Sequence, residues 1–309
     1  MLLASGYYRI VAPFSRIRSF IMAPGTGGGG AERAWFDETC EPDERSETLM
    51  NPSRETLDVL PNRRLSLYQS RLGYRFSIDA LLLAHFVSIK RGARVVDLGA
   101  GSGIIALVLA QLHPAATLVG VELQAAMAER AQRNVSLNGL QDRVQIVKGD
   151  VRCPQILGTR ASFDLAVCNP PYRSPNSGRI SANNEKRISR HEVTGDLSDF
   201  IGAGAFLLRD KGQLALVYPA LRSADLICAL RQARIEPKRL RTVHSFLGTE
   251  ASLLLVEGVK GGRPGLKIAP PLVVYRDGKQ FTDEVAAMIG GAPPPGASLE
   301  LAPDDDFPD

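Results

Sequence analysis

A four-residue turn with unusual hydrogen-bonding capacity, Asn169-Pro170-Pro171-Tyr172, directly follows an apolar segment of the sequence. The two prolines fix the backbone and lack N–H groups, so neighbouring carbonyls stay free to accept hydrogen bonds. An amine on a planar ring can donate one hydrogen to the side-chain oxygen of Asn169 and another to the carbonyl of Pro170. The ring of Tyr172 offers a face on which a nucleobase can stack, which contributes about 1–3 kcal/mol. The turn therefore predicts a binding site for an amino group on a planar base.

A glycine-rich loop, Gly99-Ala100-Gly101-Ser102-Gly103, follows Asp97 at the end of one predicted strand and opens a predicted helix. Glycine lets the backbone turn sharply and approach a ligand where a Cβ atom would clash. No Gly-Lys-Ser/Thr sequence follows, which excludes a phosphate-binding P-loop. Asp97 also precedes the glycines, whereas the acid of the usual dinucleotide fingerprint lies about 20 residues further on. The loop therefore departs from both phosphate-binding patterns.

Two further acids end the next two predicted strands. Glu122 stands where a carboxylate can accept both hydroxyls of a ribose, and Asp150 stands where an oxygen can meet an adenine amino group. Acids at the carboxyl ends of successive parallel strands line one crevice. Each acid alone is equally consistent with a helix N-cap. Together with the glycine loop, however, three acids favour a cationic nucleoside, because they would repel a pyrophosphate.

The string from Asp97 to Gly103, followed by Glu122 and Asp150, resembles the class I S-adenosylmethionine-dependent methyltransferases over residues 65–260. The resemblance implies S-adenosylmethionine as the cofactor. Predicted strands and helices alternate along the same residues, which implies right-handed crossovers and a parallel sheet covered on both faces. We therefore expect an α/β, Rossmann-like class I methyltransferase fold with a mainly parallel, seven-stranded sheet.

Methylation of an amine on a planar ring is difficult because the nitrogen lone pair is delocalised into the ring. Accepting hydrogen bonds from both N–H groups favours a more tetrahedral nitrogen, whose lone pair can point at a sulfonium methyl group. The displacement then needs alignment more than a strong base, so no histidine is assigned a role. The predicted catalytic residues are Asn169, Pro170, Pro171 and Tyr172. This turn resembles the signature of methyltransferases that act on adenine N6, some guanine N2 atoms and the glutamine amide of release factors, and it does not choose among them.

The excess of basic residues lies in the middle of the chain. The whole chain has a net charge of +4, but residues 49–291 carry 32 Lys and Arg against 21 Asp and Glu, and both ends are acidic. A basic domain between acidic ends is typical of polyanion binding. Cations near a base-stacking tyrosine suit phosphate contacts. The predicted RNA-binding residues are Arg71, Arg75, Arg173, Arg179, Lys186, Arg187, Arg190 and His191.

The two ends of the chain differ in composition from the middle. Residues 1–48 contain a glycine run and an acid-rich stretch, which predicts a disordered extension and leaves Met22 or Met50 as alternative starts. Residues 49–289 form the predicted methyltransferase domain, and residues 290–309 form a predicted disordered acidic tail. No apolar run approaches the roughly 20 residues that span a bilayer. The four cysteines form no CxxC pair, which argues against a cysteine zinc site.

Several segments together are similar to the bacterial tRNA1(Val) (adenine-37-N6)-methyltransferase family. They are Gln69, the segment 73–79, the turn 169–172 and the segment 190–192. This resemblance implies that the product is N6-methyladenine beside the anticodon, and that Gln69 and the 74–79 region belong to the cofactor site. The full predicted cofactor site comprises Gln69, Tyr74, Phe76, Asp79, Asp97, Gly99, Gly101, Gly103, Glu122, Leu123, Asp150, Val151 and Asn169. We accordingly expect a cytoplasmic monomer that binds the anticodon loop of a tRNA and needs neither a metal nor a membrane.

Alternative functions remain open at the level of the residues alone. A release-factor glutamine methyltransferase usually carries a helical N-terminal domain, which residues 1–60 do not predict, and an rRNA guanine-N2 methyltransferase shares the same turn. A DNA adenine methyltransferase needs a target-recognition domain for which no segment is long enough. A catalytically inactive RNA-binding module is disfavoured by the intact acids and Asn169.

Overall fold

Apolar segments between loops form the central sheet of the protein, as seen in a computed structural model. The structure describes residues 55–60, 65–71, 75–157, 160–172, 195–278 and 280–289, all within one compact unit of the chain. The extension 1–48, the tail 290–309 and the loop 173–194 lie outside the described residues. The predictions made for those segments therefore stay predictions.

The described residues form eleven strands and six helices. The strands are β1 (Glu55–Leu60), β2 (Leu65–Ser70), β3 (Arg94–Leu98), β4 (Thr117–Glu122), β5 (Val144–Lys148), β6 (Phe163–Cys168), β7 (Leu208–Pro219), β8 (Ile235–His244), β9 (Ala251–Lys260), β10 (Lys267–Ile268) and β11 (Leu272–Val273). The helices are α1 (Ile78–Phe86), α2 (Ile104–Leu112), α3 (Ala125–Leu137), α4 (Leu197–Leu207), α5 (Ser223–Gln232) and α6 (Asp283–Ile289).

The main sheet has the order β10-β8-β9-β7-β6-β3-β4-β5, and β11 also pairs with β8. Strands β3 to β7 are mutually parallel, and β9 runs antiparallel between β7 and β8. Seven strands, β3 to β9, make up the body of this sheet, which confirms the predicted fold class. The two-residue strands β10 and β11 extend it beyond β8.

Both faces of the sheet are buried, which explains why its strands are almost continuously apolar. On β3, Val95 belongs to one core cluster with α1 and α2, while Val96 belongs to a second cluster with α4 and α5. Alternate residues of a strand point to opposite faces, so one short strand contributes to both cores. The sheet thus brings the carboxyl ends of its parallel strands to one edge.

A separate antiparallel hairpin, β1–β2, precedes the sheet. Glu55 of β1 accepts hydrogen bonds from Arg130 at 2.8 Å and from Arg133 at 2.7 Å on α3. The hydrogen bond from Arg133, more than any other contact, lowers the pKa of Glu55. Leu65 and Leu67 of β2 are buried in the first core cluster. The hairpin is therefore held by ion pairs to α3 and by apolar contacts with the first core cluster.

No helix of the described ranges is long and apolar enough to cross a membrane.

Candidate active site

The glycine loop, Glu122, Asp150 and the turn 169–172 lie at or just after the carboxyl ends of the parallel strands β3, β4, β5 and β6. Leu98 at the end of β3 pairs with Val121 of β4 on one side and with Cys168 of β6 on the other. The chain order reverses at β3, since β4 and β5 lie on one side of it and β6 and β7 on the other. A crevice at such a switch point is where open α/β sheets bind their ligands. At this switch point the glycine loop follows β3, and the turn 169–172 follows the neighbouring strand β6.

The glycine loop has the backbone geometry that its sequence predicts. Gly99, Gly101 and Gly103 have φ angles of +77°, +57° and +84°, which other residues rarely adopt. The N–H groups of Gly99 and Ala100 donate to the carbonyl of Val121 at 2.9 and 2.8 Å. A Cβ atom on Gly99 would lie 3.0 Å from the ring of Phe200. The loop is therefore fastened to β4, and glycine is required at these positions.

Glu122 supports this loop from the end of β4. One carboxylate oxygen accepts the N–H of Gly101 and the other accepts the N–H of Gln124, each at 2.9 Å. The residue is buried, and burial raises the pKa of its carboxyl. Each carboxylate oxygen has a second lone pair that these contacts leave free. Glu122 can therefore accept two ribose hydroxyls without releasing the loop.

Asp97 is a buried acid whose carboxylate has no hydrogen bond of ordinary geometry among the described residues, although the nearby backbone N–H of Ala106 acts to lower its pKa. It is 1% exposed, and neither carboxylate oxygen is hydrogen-bonded in the part of the chain that the structure describes. Burial raises the pKa of Asp97 to about 7. A buried carboxylate without a partner is costly, and a cation beside it would relieve that cost. The positive charges of S-adenosylmethionine, a sulfonium and an ammonium, fit this acid.

Asp150 is held in a way that the sequence did not predict. The N–H of Arg152 donates to one of its oxygens at 2.9 Å, and the guanidinium of Arg152 contacts both oxygens. The ion pair is partly exposed, with 46% of the Arg152 side chain accessible. An adenine amino group at Asp150 would therefore share the carboxylate with Arg152.

The turn after β6 packs against two other parts of the chain. The hydroxyl of Tyr172 lies 2.8 Å from Oδ1 of Asn169 and 2.9 Å from Oδ2 of Asp79 in α1. The Tyr172 ring meets that of Tyr218 edge to face, with 6.0 Å between the centroids. Arg222 donates to the Tyr172 carbonyl at 3.4 Å. The turn that sequence reasoning assigned to the substrate is thus fixed on both sides.

The cofactor residues implied by the resemblance fall into two groups. Gln69 is buried, its amide donates to Asp58 of β1, and its oxygen accepts the N–H of Phe76, which precedes α1, at 3.0 Å. Phe76 packs against the first core cluster, and Tyr74 lies outside the described residues. Gln69 therefore links the hairpin to the residues just before α1, and a direct contact with the cofactor stays a prediction.

Two predicted cofactor residues follow the acids directly in sequence, and a third, Asp79, lies in the first turn of α1. Leu123 is half-buried after Glu122, and Val151 is buried in the second core cluster after Asp150. Asp79 is buried, its Oδ1 has no partner among the described residues, and burial raises the pKa of its carboxyl against the opposing effect of the Tyr172 hydrogen bond.

The predicted RNA-binding residues are mostly beyond the described ranges. Arg71 and Arg75 are exposed, and both contact β1: Arg71 donates to the carbonyl of Glu55 at 3.1 Å, and Arg75 donates to Thr56 at 2.8 Å and pairs with Asp58. Their predicted role in RNA binding is compatible with these surface contacts. The other predicted RNA-binding residues, which are Arg173, Arg179, Lys186, Arg187, Arg190 and His191, lie outside the described residues.

Asn134 is a site-supporting residue that sequence reasoning missed. It is fully buried on α3, and its amide donates to the carbonyl of Ser102 at 2.9 Å and to that of Tyr68 at 3.2 Å. Its oxygen accepts the N–H of Tyr68 at 2.7 Å. One side chain therefore ties the glycine loop to the hairpin. One polar residue among the several polar residues of this amphipathic helix gives no sequence signal for this role.

Replacing Asn134 by alanine should weaken both the fold and the cofactor site. Losing three hydrogen bonds to buried backbone groups should lower the free energy of unfolding by about 2–3 kcal/mol. Denaturant unfolding and calorimetric titration with S-adenosylmethionine would measure the two effects. Asn138→Ala is the matched control, because Asn138 contacts Ser66 of the hairpin but not the loop. An equal loss of cofactor affinity in both variants would contradict the link from Asn134 to the loop.

Among the described residues, no group of three or more His, Cys, Asp or Glu side chains is arranged to hold a metal ion.

The strand order, the glycine loop at the switch point and the acids around it define a class I S-adenosylmethionine-dependent methyltransferase. Residues 77–227 match the family model of the methyltransferase small domain. A crystal structure of a predicted O-methyltransferase from Agrobacterium tumefaciens superposes with a TM-score of 0.56 at 26% identity, covering 68% of this chain and 95% of that one.

Curated relatives narrow the class to one family. A tRNA1(Val) (adenine(37)-N6)-methyltransferase of Porphyromonas gingivalis is 30% identical over 207 residues, which cover 65% of this chain and 80% of the relative. The protein of the same name from Haemophilus influenzae is 27% identical, over 72% of this chain and 92% of the relative. The chain belongs to the tRNA1(Val) (adenine(37)-N6)-methyltransferase family.

Proposed function

We propose that this protein transfers the methyl group of S-adenosylmethionine to the exocyclic N6 of adenine-37 in tRNA1(Val). The observation that carries the proposal is the meeting of two features at one switch point. The glycine loop with its acids suits a cationic nucleoside, and the turn 169–172 beside it suits an amine on a planar base. The names of the curated relatives supply the identity of the base and of the tRNA.

On the cofactor side, residues of the chain would bind S-adenosylmethionine and orient it. Glu122 accepts the ribose hydroxyls with the lone pairs left by Gly101 and Gln124, while the partnerless carboxylate of Asp97 receives positive charge. Asp150 shares its carboxylate between Arg152 and the adenine amino group. When bound, S-adenosylmethionine supplies a methyl group that is activated for displacement by its sulfonium.

On the substrate side, the chain would align the nitrogen. Oδ1 of Asn169 and the carbonyl of Pro170 accept the two amine hydrogens, and the lone pair then points across the crevice. Rigid placement replaces a strong base, because the alignment of the reacting atoms dominates the rate. The partly buried turn limits the water that could compete for these acceptors.

The remaining features of the proposal concern the partner and the setting. The tRNA would approach with its anticodon loop, where base 37 lies, and the protein would act as a monomer in the cytoplasm. The approach of a tRNA is supported by the basic middle of the chain, which carries 32 basic and 21 acidic residues over 49–291. Such a surface attracts polyanions in a salt-dependent way.

Replacing Lys186, Arg187 and Arg190 together by glutamine should weaken tRNA binding and flatten its salt dependence. Each lost phosphate contact lowers the slope of log K against log salt by about 0.7–0.9, so three contacts amount to roughly 2. Filter binding of tRNA at several salt concentrations would measure it.

A control with the same charge change uses Lys90, Arg91 and Lys211, which are exposed beside the amino-terminal ends of β3 and β7. Those ends lie at the edge of the sheet opposite the turn, so the control should bind tRNA as the wild type does. If the first variant kept the wild-type slope, the loop 173–194 would be no part of the RNA-binding surface.

The reaction itself is tested with purified protein, radiolabelled S-adenosylmethionine and transcripts of tRNA1(Val). We expect label in N6-methyladenosine with the natural transcript and none when adenine-37 is changed to guanine. Label in N2-methylguanosine, or in a release factor supplied in place of RNA, would overturn the substrate assignment.

A further inference from the structure

The hydroxyl of Tyr172 lies between two oxygen acceptors from distant parts of the chain. Its oxygen is 2.8 Å from Oδ1 of Asn169, which follows β6, and 2.9 Å from Oδ2 of Asp79, in the first turn of α1. A phenol hydroxyl carries one proton. Tyr172 therefore cannot donate fully to both oxygens at once.

This competition bears directly on Asn169. Its Oδ1 is the atom expected to accept a hydrogen from the substrate amine. A hydrogen bond from Tyr172 to the same atom restricts the directions open to the amine and draws electron density from the oxygen. The amine nitrogen is then held less firmly in the geometry that exposes its lone pair.

Asp79 offers the hydroxyl a stronger acceptor. A carboxylate oxygen accepts a hydrogen bond more strongly than the neutral amide oxygen of Asn169. Asp79 is 6% exposed, and its Oδ1 has no hydrogen-bond partner among the described residues. Its other oxygen, Oδ2, lies within hydrogen-bond distance of the Tyr172 hydroxyl.

We propose that Asp79 is a positioning residue for methyl transfer, which takes the hydrogen bond of the Tyr172 hydroxyl and so leaves Oδ1 of Asn169 to the substrate amine. The inference rests on the proposed function, since it concerns the same amine site. This role takes the place of the cofactor contact that the resemblance implied for Asp79, since the residue acts through Tyr172 and does not touch the reacting atoms. The edge-to-face contact of Tyr172 with Tyr218 and the hydrogen bond from Arg222 to its carbonyl hold the ring where this exchange can occur.

A double-mutant cycle with Asp79→Asn and Tyr172→Phe tests the proposal. The asparagine keeps the shape of Asp79, but its amide can donate to the Tyr172 oxygen and direct the hydroxyl proton to Asn169. We expect Asp79→Asn alone to lower kcat by about tenfold or more, with little change in KM or in cofactor affinity. In the Tyr172→Phe background there is no hydroxyl to redirect, so the same substitution should change kcat by less than about twofold.

Asp164→Asn is the matched control, because it also replaces an aspartate by asparagine. Asp164 lies at the end of β6 away from the turn 169–172, where it pairs with Arg209. Thermal unfolding of each variant shows that it is folded. Equal losses of kcat from Asp79→Asn in both backgrounds would overturn the proposal. A rise in the Kd for S-adenosylmethionine that persists without the hydroxyl would overturn it too, and would place Asp79 in the cofactor site.

A failure of the proposed function can be told apart from a failure of the positioning role of Asp79. If the wild type leaves tRNA1(Val) unmethylated, the substrate assignment fails, and the cycle is measured on the amine that the wild type does methylate. Suppression of the Asp79→Asn defect by Tyr172→Phe on that substrate would still support the positioning role, and its absence would contradict it.

Discussion

Asn169→Ala should abolish turnover while leaving the affinity for S-adenosylmethionine nearly unchanged. The substitution removes the oxygen that accepts one amine hydrogen, and a single preorganised hydrogen-bonding group of this kind is worth about 10²–10³ in kcat. Apart from Asn169 itself, the predicted contacts with the cofactor lie mainly at the ends of β3, β4 and β5, which the substitution does not touch, so most of the affinity should remain. Single-turnover methylation of tRNA1(Val) and calorimetric titration with cofactor would separate the two effects.

Asn169→Asp serves as the control, because a carboxylate keeps an acceptor oxygen at the same position. It should retain far more activity than the alanine variant. Full activity of Asn169→Ala would show that the turn 169–172 does not align the amine, and the assigned mechanism would be wrong.

Asp97→Asn should make the cofactor-free protein more stable and the cofactor bind more weakly. Burial raises the pKa of Asp97 to about 7, above the ordinary value of 3.8. The folded protein therefore holds this proton more tightly than the unfolded chain does. Stability is accordingly lost as the pH rises from about 4 to 7, and the loss is complete above that window. For a shift of this size, the loss is on the order of 4 kcal/mol.

The uncharged asparagine removes this loss, so the stability gain of Asp97→Asn should grow from pH 4 to pH 7 and then stay constant. Thermal unfolding without cofactor over this range would measure it. The affinity for S-adenosylmethionine should fall, since the partner of its positive charge is gone. As a comparison, Asp164→Asn removes a carboxylate that is paired with Arg209 and should lower stability instead. An Asp97→Asn variant that is less stable, or that binds cofactor as tightly as the wild type, would contradict the role given to Asp97.

The central strands and the edge that carries the site were predictable because short-range signals agree there. The apolar runs of β3 to β6 are ended by glycine, acidic residues or Asn169-Pro170, and parallel strands bring such ends to one edge. The strands predicted before the glycine loop, Glu122 and Asp150, and the apolar segment before Asn169, are β3, β4, β5 and β6 of the structure. Fold class and crevice therefore follow from patterns of fewer than ten residues.

The hairpin and β8 were not predicted because long-range contacts stabilise them. β1 depends on the ion pairs of Glu55 with α3, 75 residues further along the chain. β8 contains Pro237 and three cations, which disfavour a buried strand in sequence. Two of these cations are neutralised from elsewhere: Arg239 pairs with Glu257 of β9, and Arg241 pairs with Glu284 of α6. Such compensation cannot be read from a local window.

The candidate site was predictable as a set of residues, and its internal hydrogen bonds were not. Tyr172 was predicted from its ring, as a stacking surface, whereas the structure shows its hydroxyl between Asn169 and Asp79. The partnership of Asp150 with Arg152 also depends on side-chain rotamers that no spacing rule gives.

The central claim is tested most directly by nucleoside mass spectrometry of tRNA1(Val) purified from a strain that lacks the gene. We predict that N6-methyladenosine at position 37 is absent from this tRNA, that it returns when the wild-type gene is supplied, and that it does not return with Asn169→Ala. Unchanged methylation of adenine-37 in the strain without the gene would contradict the account.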